Sequence, residues 1–146
     1  MNQSNIIEIL LIEDDSSDIG LISKTIDDKK WNINFNSIKD GIGAMEYLYK
    51  KGRYKDSKTP DLILLDLNLP KKNGREVLKE IKTDKILKCI PVIVLTVSDN
   101  SNDVIESYQH HANAYITKPA DLEMFEKYIS IFKDFWFNSV KLPKYK

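Results

Sequence analysis

Five short apolar runs recur along the chain, and each is followed by a segment whose apolar residues fall three or four positions apart. The runs are residues 6–12, 33–38, 61–66, 92–96 and 114–117. Their shortness and their content of Ile, Leu and Val mark buried strands. The segments between them read as amphipathic helices. Asp15 or Ser16 can cap the first helix, with Ile19, Ile22 and Ile26 facing inward. Asp40 and Gly41 open the second, which ends near Gly52. Asn73 and Gly74 open the third, with Val77, Leu78 and Ile81 inward. Residues 99–102 lead into a fourth that carries Val104, Ile105 and Tyr108, and the last helix runs from Asp121 to about Phe137. Strict strand–helix alternation implies a parallel sheet with helices on both faces, an α/β doubly wound fold of five strands.

The chain has 146 residues, the size of one domain, and no linker divides it. We therefore expect a single domain over 1–146, with a core at 6–137 and an extension at 138–146. Lys+Arg and Asp+Glu both number 22, so the basic excess that phosphate-gripping or membrane-surface proteins carry is missing. We expect no nucleic-acid partner and no membrane partner. No apolar run approaches the ~18 residues of a bilayer span. The first five residues, MNQSN, lack the basic and apolar regions of a signal peptide. The one cysteine, Cys89, has no partner for an internal disulfide, which fits a cytoplasmic setting.

In a doubly wound sheet the ligand site lies at the carboxyl ends of the strands. The first strand ends in Glu13-Asp14-Asp15, the third in Asp66, the fourth in Thr96 and the fifth in Lys118-Pro119. Carboxylates, one hydroxyl and one ammonium should therefore converge on one edge. Carboxylates brought together repel, and a hard divalent cation with oxygen preference relieves that repulsion. These residues suggest an Mg²⁺ site with Lys118 as the fixed positive charge beside it. Asp15 and Asp18 are read instead as helix-capping residues, the commonest use of acids after a strand.

The ordered set Glu13-Asp14, Asp66, Thr96 and Lys118-Pro119 resembles the receiver domain of two-component response regulators. The runs LILLDLNLPKKNG (residues 62–74) and AYITKP (residues 114–119) match it further, and the likeness covers about residues 6–137. The resemblance implies a flavodoxin-like fold with strand order 2-1-3-4-5 and a function as phosphoacceptor switch. It implies that Asp66 takes a phosphoryl group from a histidine kinase or a histidine phosphotransferase. It implies that Glu13, Asp14, Asp66 and the backbone carbonyl of Asn68 hold Mg²⁺. Lys118 would pair with Asp66 and then with the phosphoryl group, and Thr96 would hydrogen-bond a phosphoryl oxygen. Thr96 and Tyr115 would form the switch, the ring turning inward as Thr96 moves. The Lys118–Pro119 bond would be cis. The protein would be an acceptor rather than an enzyme, with only self-phosphorylation and autodephosphorylation.

Two positions depart from the family pattern. Glu13 stands where many receivers have Asp, and Val97 follows Thr96 where a smaller residue is frequent. A β-branched side chain there narrows access for water or large donors.

Nine residues follow Phe137, too few for a helix-turn-helix, so we expect no effector domain and an output through the receiver surface. On the last helix, Leu122, Phe125, Ile129, Phe132 and Trp136 should face the core. Met124, Tyr128, Ile131 and Phe135 form a second apolar stripe, turned by about 100°. Such a strip marks a protein interface, expected here to be a homodimer or a partner contact, unless the extension folds back over it. The ending FWFNSVKLPK (residues 135–144) also resembles stand-alone response regulators that work with phytochrome-type histidine kinases.

His110 and His111 are adjacent and cannot share a helix face, so they read as a solvated helix end rather than a metal pair. Cys89 reads as inert, and the basic stretch at 50–58 reads either as a solvated loop or as a contact for an acidic partner. An Asp-based phosphatase would need an acid two residues after its nucleophile, where this chain has Asn68. A flavin or nucleotide binder would need phosphate donors after the first strand, where three acids stand instead. A receiver-like interaction module that is never phosphorylated is the remaining rival.

Overall fold

A computed structural model describes residues 6–143. The signal-peptide reading of the first five residues, and the last three of the extension, lie outside the described residues.

Five parallel strands form one sheet in the order β2-β1-β3-β4-β5. They are β1 (Ile7–Ile12), β2 (Ile33–Ile38), β3 (Leu62–Leu65), β4 (Val92–Thr96) and β5 (Ala114–Thr117). Five helices connect and follow them: α1 (Ser16–Lys29), α2 (Gly41–Leu48), α3 (Gly74–Thr83), α4 (Ser101–Gln109) and α5 (Leu122–Lys133). The expected α/β doubly wound architecture and strand order are both present. Short 3-10 turns at Gly52–Tyr54 and Leu87–Cys89 fill connections that the sequence pattern left blank.

Local chemistry starts each helix. Asp15 accepts from the Ser17 and Asp18 amides ahead of α1. Asn73 and Glu76 form a reciprocal capping box on α3. Asp40, Asn100 and Asp121 each accept one backbone amide as simple N-caps of α2, α4 and α5.

Each strand sends alternate residues to opposite faces, and two cores result. One packs Leu10, Ile12, Ile63, Leu65, Val92 and Val94 against α2 and α3. The other packs Ile9, Leu11, Leu62, Leu64, Ile93 and Leu95 against α1 and α5. The central strand β3 is buried at every position, which is why it reads as an uninterrupted apolar run. Its flanking acids lie just outside it: Asp61 accepts the Glu8 amide at 2.8 Å, and Asp66 begins the next loop. By contrast α4 buries a single residue of its own, Ser107, and leaves Ile105 and Tyr108 exposed.

Two expectations for the last helix need correction. Leu122 is 59% exposed rather than inward. It is the first residue of α5, one turn before Phe125 reaches the sheet and becomes buried. The α-helix also stops at Lys133 and continues as a π-turn over Asp134–Ser139. The wider turn shifts the helical phase, so both Trp136 and Phe137 pack inward while Phe135 points out. Met124, Tyr128, Ile131 and Phe135 are all exposed. The described part of the extension runs elsewhere: Val140 and Leu142 border a groove with Ile7, Trp31 and Ile33.

Candidate functional site

Strand register assembles the site. Ile12 pairs with Leu65, so Glu13 and Asp66 leave the sheet side by side. Thr96 pairs with Thr117, which sets Lys118 one residue beyond, and the Lys118 amide donates to the Thr96 carbonyl at 2.7 Å.

Asp66 is held by its backbone. Its N–H donates to the Ile12 carbonyl at 2.9 Å. Gly74, which starts α3, lies so close beneath that a Cβ there would sit 2.2 Å from the Asp66 carbonyl oxygen. Glycine is required at 74 by this approach of two backbones. The Asp66 carboxylate accepts the Asn68 N–H at 3.0 Å on Oδ1 and Lys118 Nζ at 3.3 Å on Oδ2. Asn68 itself is exposed on the loop that begins at Asp66.

Glu13 is almost fully buried, accepting Lys118 Nζ at 2.5 Å and the Asp15 N–H at 3.1 Å. Burial pushes its carboxyl up to about 7; the Lys118 hydrogen bond opposes this and neighbouring Asp66 adds to it. Asp14, next along the chain, is exposed. Glu13, Asp14 and Asp66 each offer a carboxylate oxygen, and these oxygens lie within 4.8 Å of one another. Three hard oxygen donors around one point, one of them a buried acid raised by its surroundings, fit a divalent metal ion.

The Lys118 side chain is 5% exposed and donates to three carboxylates. Burial works against its charge, but hydrogen bonds to Asp18 and Glu13 and the charge of Asp66 outweigh burial and raise its pKa. The Asp18 contact, 2.7 Å from Nζ, was not expected. Asp18 lies in the first turn of α1, where a carboxylate is ordinarily read as a cap, but Asp15 takes that role. The sequence signal for it is only that Asp18 falls in the first turn of the helix that directly follows the acidic strand end.

Thr96 is fully buried, and its Oγ1 has no hydrogen-bond partner among the described residues. Such an orphan is costly in a folded protein and aims at a site. Tyr115, half-buried on β5, donates its hydroxyl to the Ser98 carbonyl at 2.8 Å. Ser98 Oγ in turn donates to Asp103 at 2.6 Å, and Arg75 Nη2 reaches the other oxygen of Asp103 at 2.8 Å. This α3–α4–β5 network was invisible in the sequence because its members share no local pattern. Val97 is 66% exposed at the rim, beside Thr96.

One expectation at the site is corrected. No peptide bond among the described residues is cis, so Lys118–Pro119 is trans. Trans is the lower-energy isomer by about 0.5–1 kcal/mol for X-Pro, and every bond that fixes Lys118 is made in that form. His110 caps the end of α4, and His111 follows it with positive φ. Cys89 is exposed.

A family model for the response regulator receiver domain matches residues 9–130. Response regulator Rcp1 from Synechocystis is 46% identical over 135 residues, covering 92% of each chain. Chemotaxis protein CheY-3 of Vibrio cholerae is 32% identical over 112 residues, covering 77% of this chain and 80% of its own. Among solved structures, the Mn²⁺-bound form of Rcp1 superposes with a TM-score of 0.90 at 45% identity, covering 94% of this chain and 99% of that one. The phosphorylated cyanobacterial phytochrome response regulator RcpA gives 0.91 at 45% identity, with the same shares covered.

Proposed function

The chain belongs to the response regulator receiver domain family and is a phosphoacceptor of two-component signalling, and from that premise we propose that Asp66 is the acceptor and that Lys118, Thr96 and Tyr115 serve it. The observation that carries the assignment is the meeting of Glu13, Asp14, Asp66 and Lys118 at one point, with the orphan hydroxyl of Thr96 at the neighbouring strand end.

The chemistry follows from these groups. A carboxylate oxygen of Asp66 attacks phosphorus in line, the O–P bond forms, and the N–P bond to the donor imidazole breaks. The imidazole leaves with the bonding electron pair and takes a proton. Lys118 neutralises charge on the equatorial oxygens. Glu13, Asp14, Asp66 and the Asn68 carbonyl would hold a divalent ion, in this proposal Mg²⁺, which would supply Lewis-acid neutralisation of the phosphoryl charge. Replacing a carboxylate by an acyl phosphate changes the local charge by about −1, which calls for a new donor. Thr96 Oγ1 is the uncommitted donor in reach of that strand edge. Its movement draws on the β4–α4 loop, to which Tyr115 is tied through Ser98.

Asn68 has an amide where an Asp phosphatase would need a second acid, which supports a stoichiometric acceptor rather than a turnover enzyme. The donor is the phosphohistidine of a kinase or phosphotransferase, and the likeness to Rcp1 and RcpA supports a phytochrome-type kinase. No helix among the described residues is long and apolar enough to cross a membrane, and the balanced charge supports a protein without nucleic-acid contact. The exposed stripe Met124, Tyr128, Ile131 and Phe135 supports a homodimer through α5.

The test is mass spectrometry after incubation with Mg²⁺ and acetyl phosphate. The expected result is a base-labile gain of one phosphoryl group that Asp66→Asn abolishes. A gain that survives this substitution would remove Asp66 from its role.

A further inference from the structure

Lys118 has three N–H donors and three carboxylate partners, and the partners are not equivalent. Glu13 and Asp66 belong to the oxygen cluster suited to a cation; Asp18 does not. Asp18 approaches from α1, with its side chain 21% exposed. It is free of capping duty, since Asp15 accepts the Ser17 and Asp18 amides. The ammonium lies 2.5 Å from Glu13, 2.7 Å from Asp18 and 3.3 Å from Asp66, so the resting lysine is held more closely by Glu13 and Asp18 than by the acceptor.

We propose that Asp18 is a positioning residue that holds Lys118 off-centre and competes with the phosphoryl group for its ammonium. The proposal rests on Asp66 as acceptor. A phosphoryl group on Asp66 needs the Lys118 charge, yet Asp18 keeps a share of it in both states. It also places a further negative charge one ammonium away from the phosphoryl oxygens, in a pocket where charges are only partly screened. Asp18 therefore weakens the phosphorylated state relative to the resting one. A residue that merely stabilised α1 would affect folding and leave this balance untouched.

The test is titration with beryllofluoride, which stands in for the phosphoryl group on a carboxylate. It is done at saturating Mg²⁺, after a separate titration with Mg²⁺ alone has set that level for each variant. Asp18→Asn keeps the volume and removes the charge; it is expected to bind beryllofluoride about three- to tenfold tighter, the scale of a partly exposed ion pair. Asp18→Ser is expected to shift affinity in the same direction, and Asp18→Glu, which keeps the charge, to restore the wild-type value. Thermal denaturation separates folding loss from the effect. Unchanged or weaker binding by both Asp18→Asn and Asp18→Ser, with the wild type binding normally, overturns the proposal. Wild-type binding that Asp66→Asn fails to abolish overturns the acceptor assignment instead.

Discussion

Tyr115 and Ser98 are joined by a 2.8 Å hydrogen bond, phenol to backbone carbonyl, that ties β5 to the loop between β4 and α4. The same loop is held by Ser98 Oγ on Asp103, and the helix that follows it buries only Ser107. Tyr115→Phe removes the bond and keeps the ring. We expect a loss of about 0.5–1.5 kcal/mol in denaturant unfolding, with faster amide exchange over residues 97–103. Unchanged exchange there would show that the loop is held by other means.

Thr96→Val should separate stability from response. The Oγ1 of Thr96 is buried without a partner among the described residues, so replacing it by a methyl removes a desolvation cost. We expect stability to rise by about 1 kcal/mol. We expect beryllofluoride affinity to fall by about tenfold, because a donor to the anion is lost. A variant that is less stable than the wild type would mean that the hydroxyl has a partner in the resting protein.

Glu13 gives the protein a pH signature. Burial lifts its carboxyl from 4.5 to about 7 in the folded state. The fold thus favours the protonated acid, and the stability this contributes is complete below pH 4.5 and lost as pH rises through 7. A cation needs the ionised form, so its affinity should run the other way. Calorimetry with and without Mg²⁺ should show a larger cation-induced rise in Tm at pH 8 than at pH 6, and Glu13→Gln should flatten the difference. Equal rises in the wild type at the two pH values would contradict the assignment of Glu13 as a ligand.

The apolar stripe on α5 predicts association. Sedimentation of the wild type should report a dimer. Ile131→Glu, at a position 55% exposed, should report a monomer with stability changed by no more than about 0.5 kcal/mol. A wild type that stays monomeric at high concentration would reject the dimer.

Much of this molecule is legible in its sequence. Strand β3 announces itself as four apolar residues ending in an acid, and Asn73 marks the start of α3 within one residue. Glu13, Asp66, Thr96 and Lys118 fall at strand ends, and parallel strands must bring such ends together. What escaped the sequence depends on turns and on tertiary contact. Leu122 fits the inward stripe by spacing, but it precedes the point where α5 meets the sheet. The π-turn after Lys133 changes the phase without any Pro or Gly to signal it. Asp18 looks like a cap until Asp15 is seen to fill that role. The Arg75–Asp103 pair joins residues 28 apart on two helices whose approach no local pattern encodes.

Gly74 locks the main chain beneath Asp66, and the strand before it is enclosed by neighbours on both sides. The acceptor is therefore an anvil: a charge delivered to it cannot be relieved by retreat of the residue that receives it. Relief has to come from whatever nearby is least firmly seated, and that is the β4–α4 loop with its thinly rooted helix. The direction in which news of the event travels is thus decided by an inequality of anchoring, set before any donor arrives.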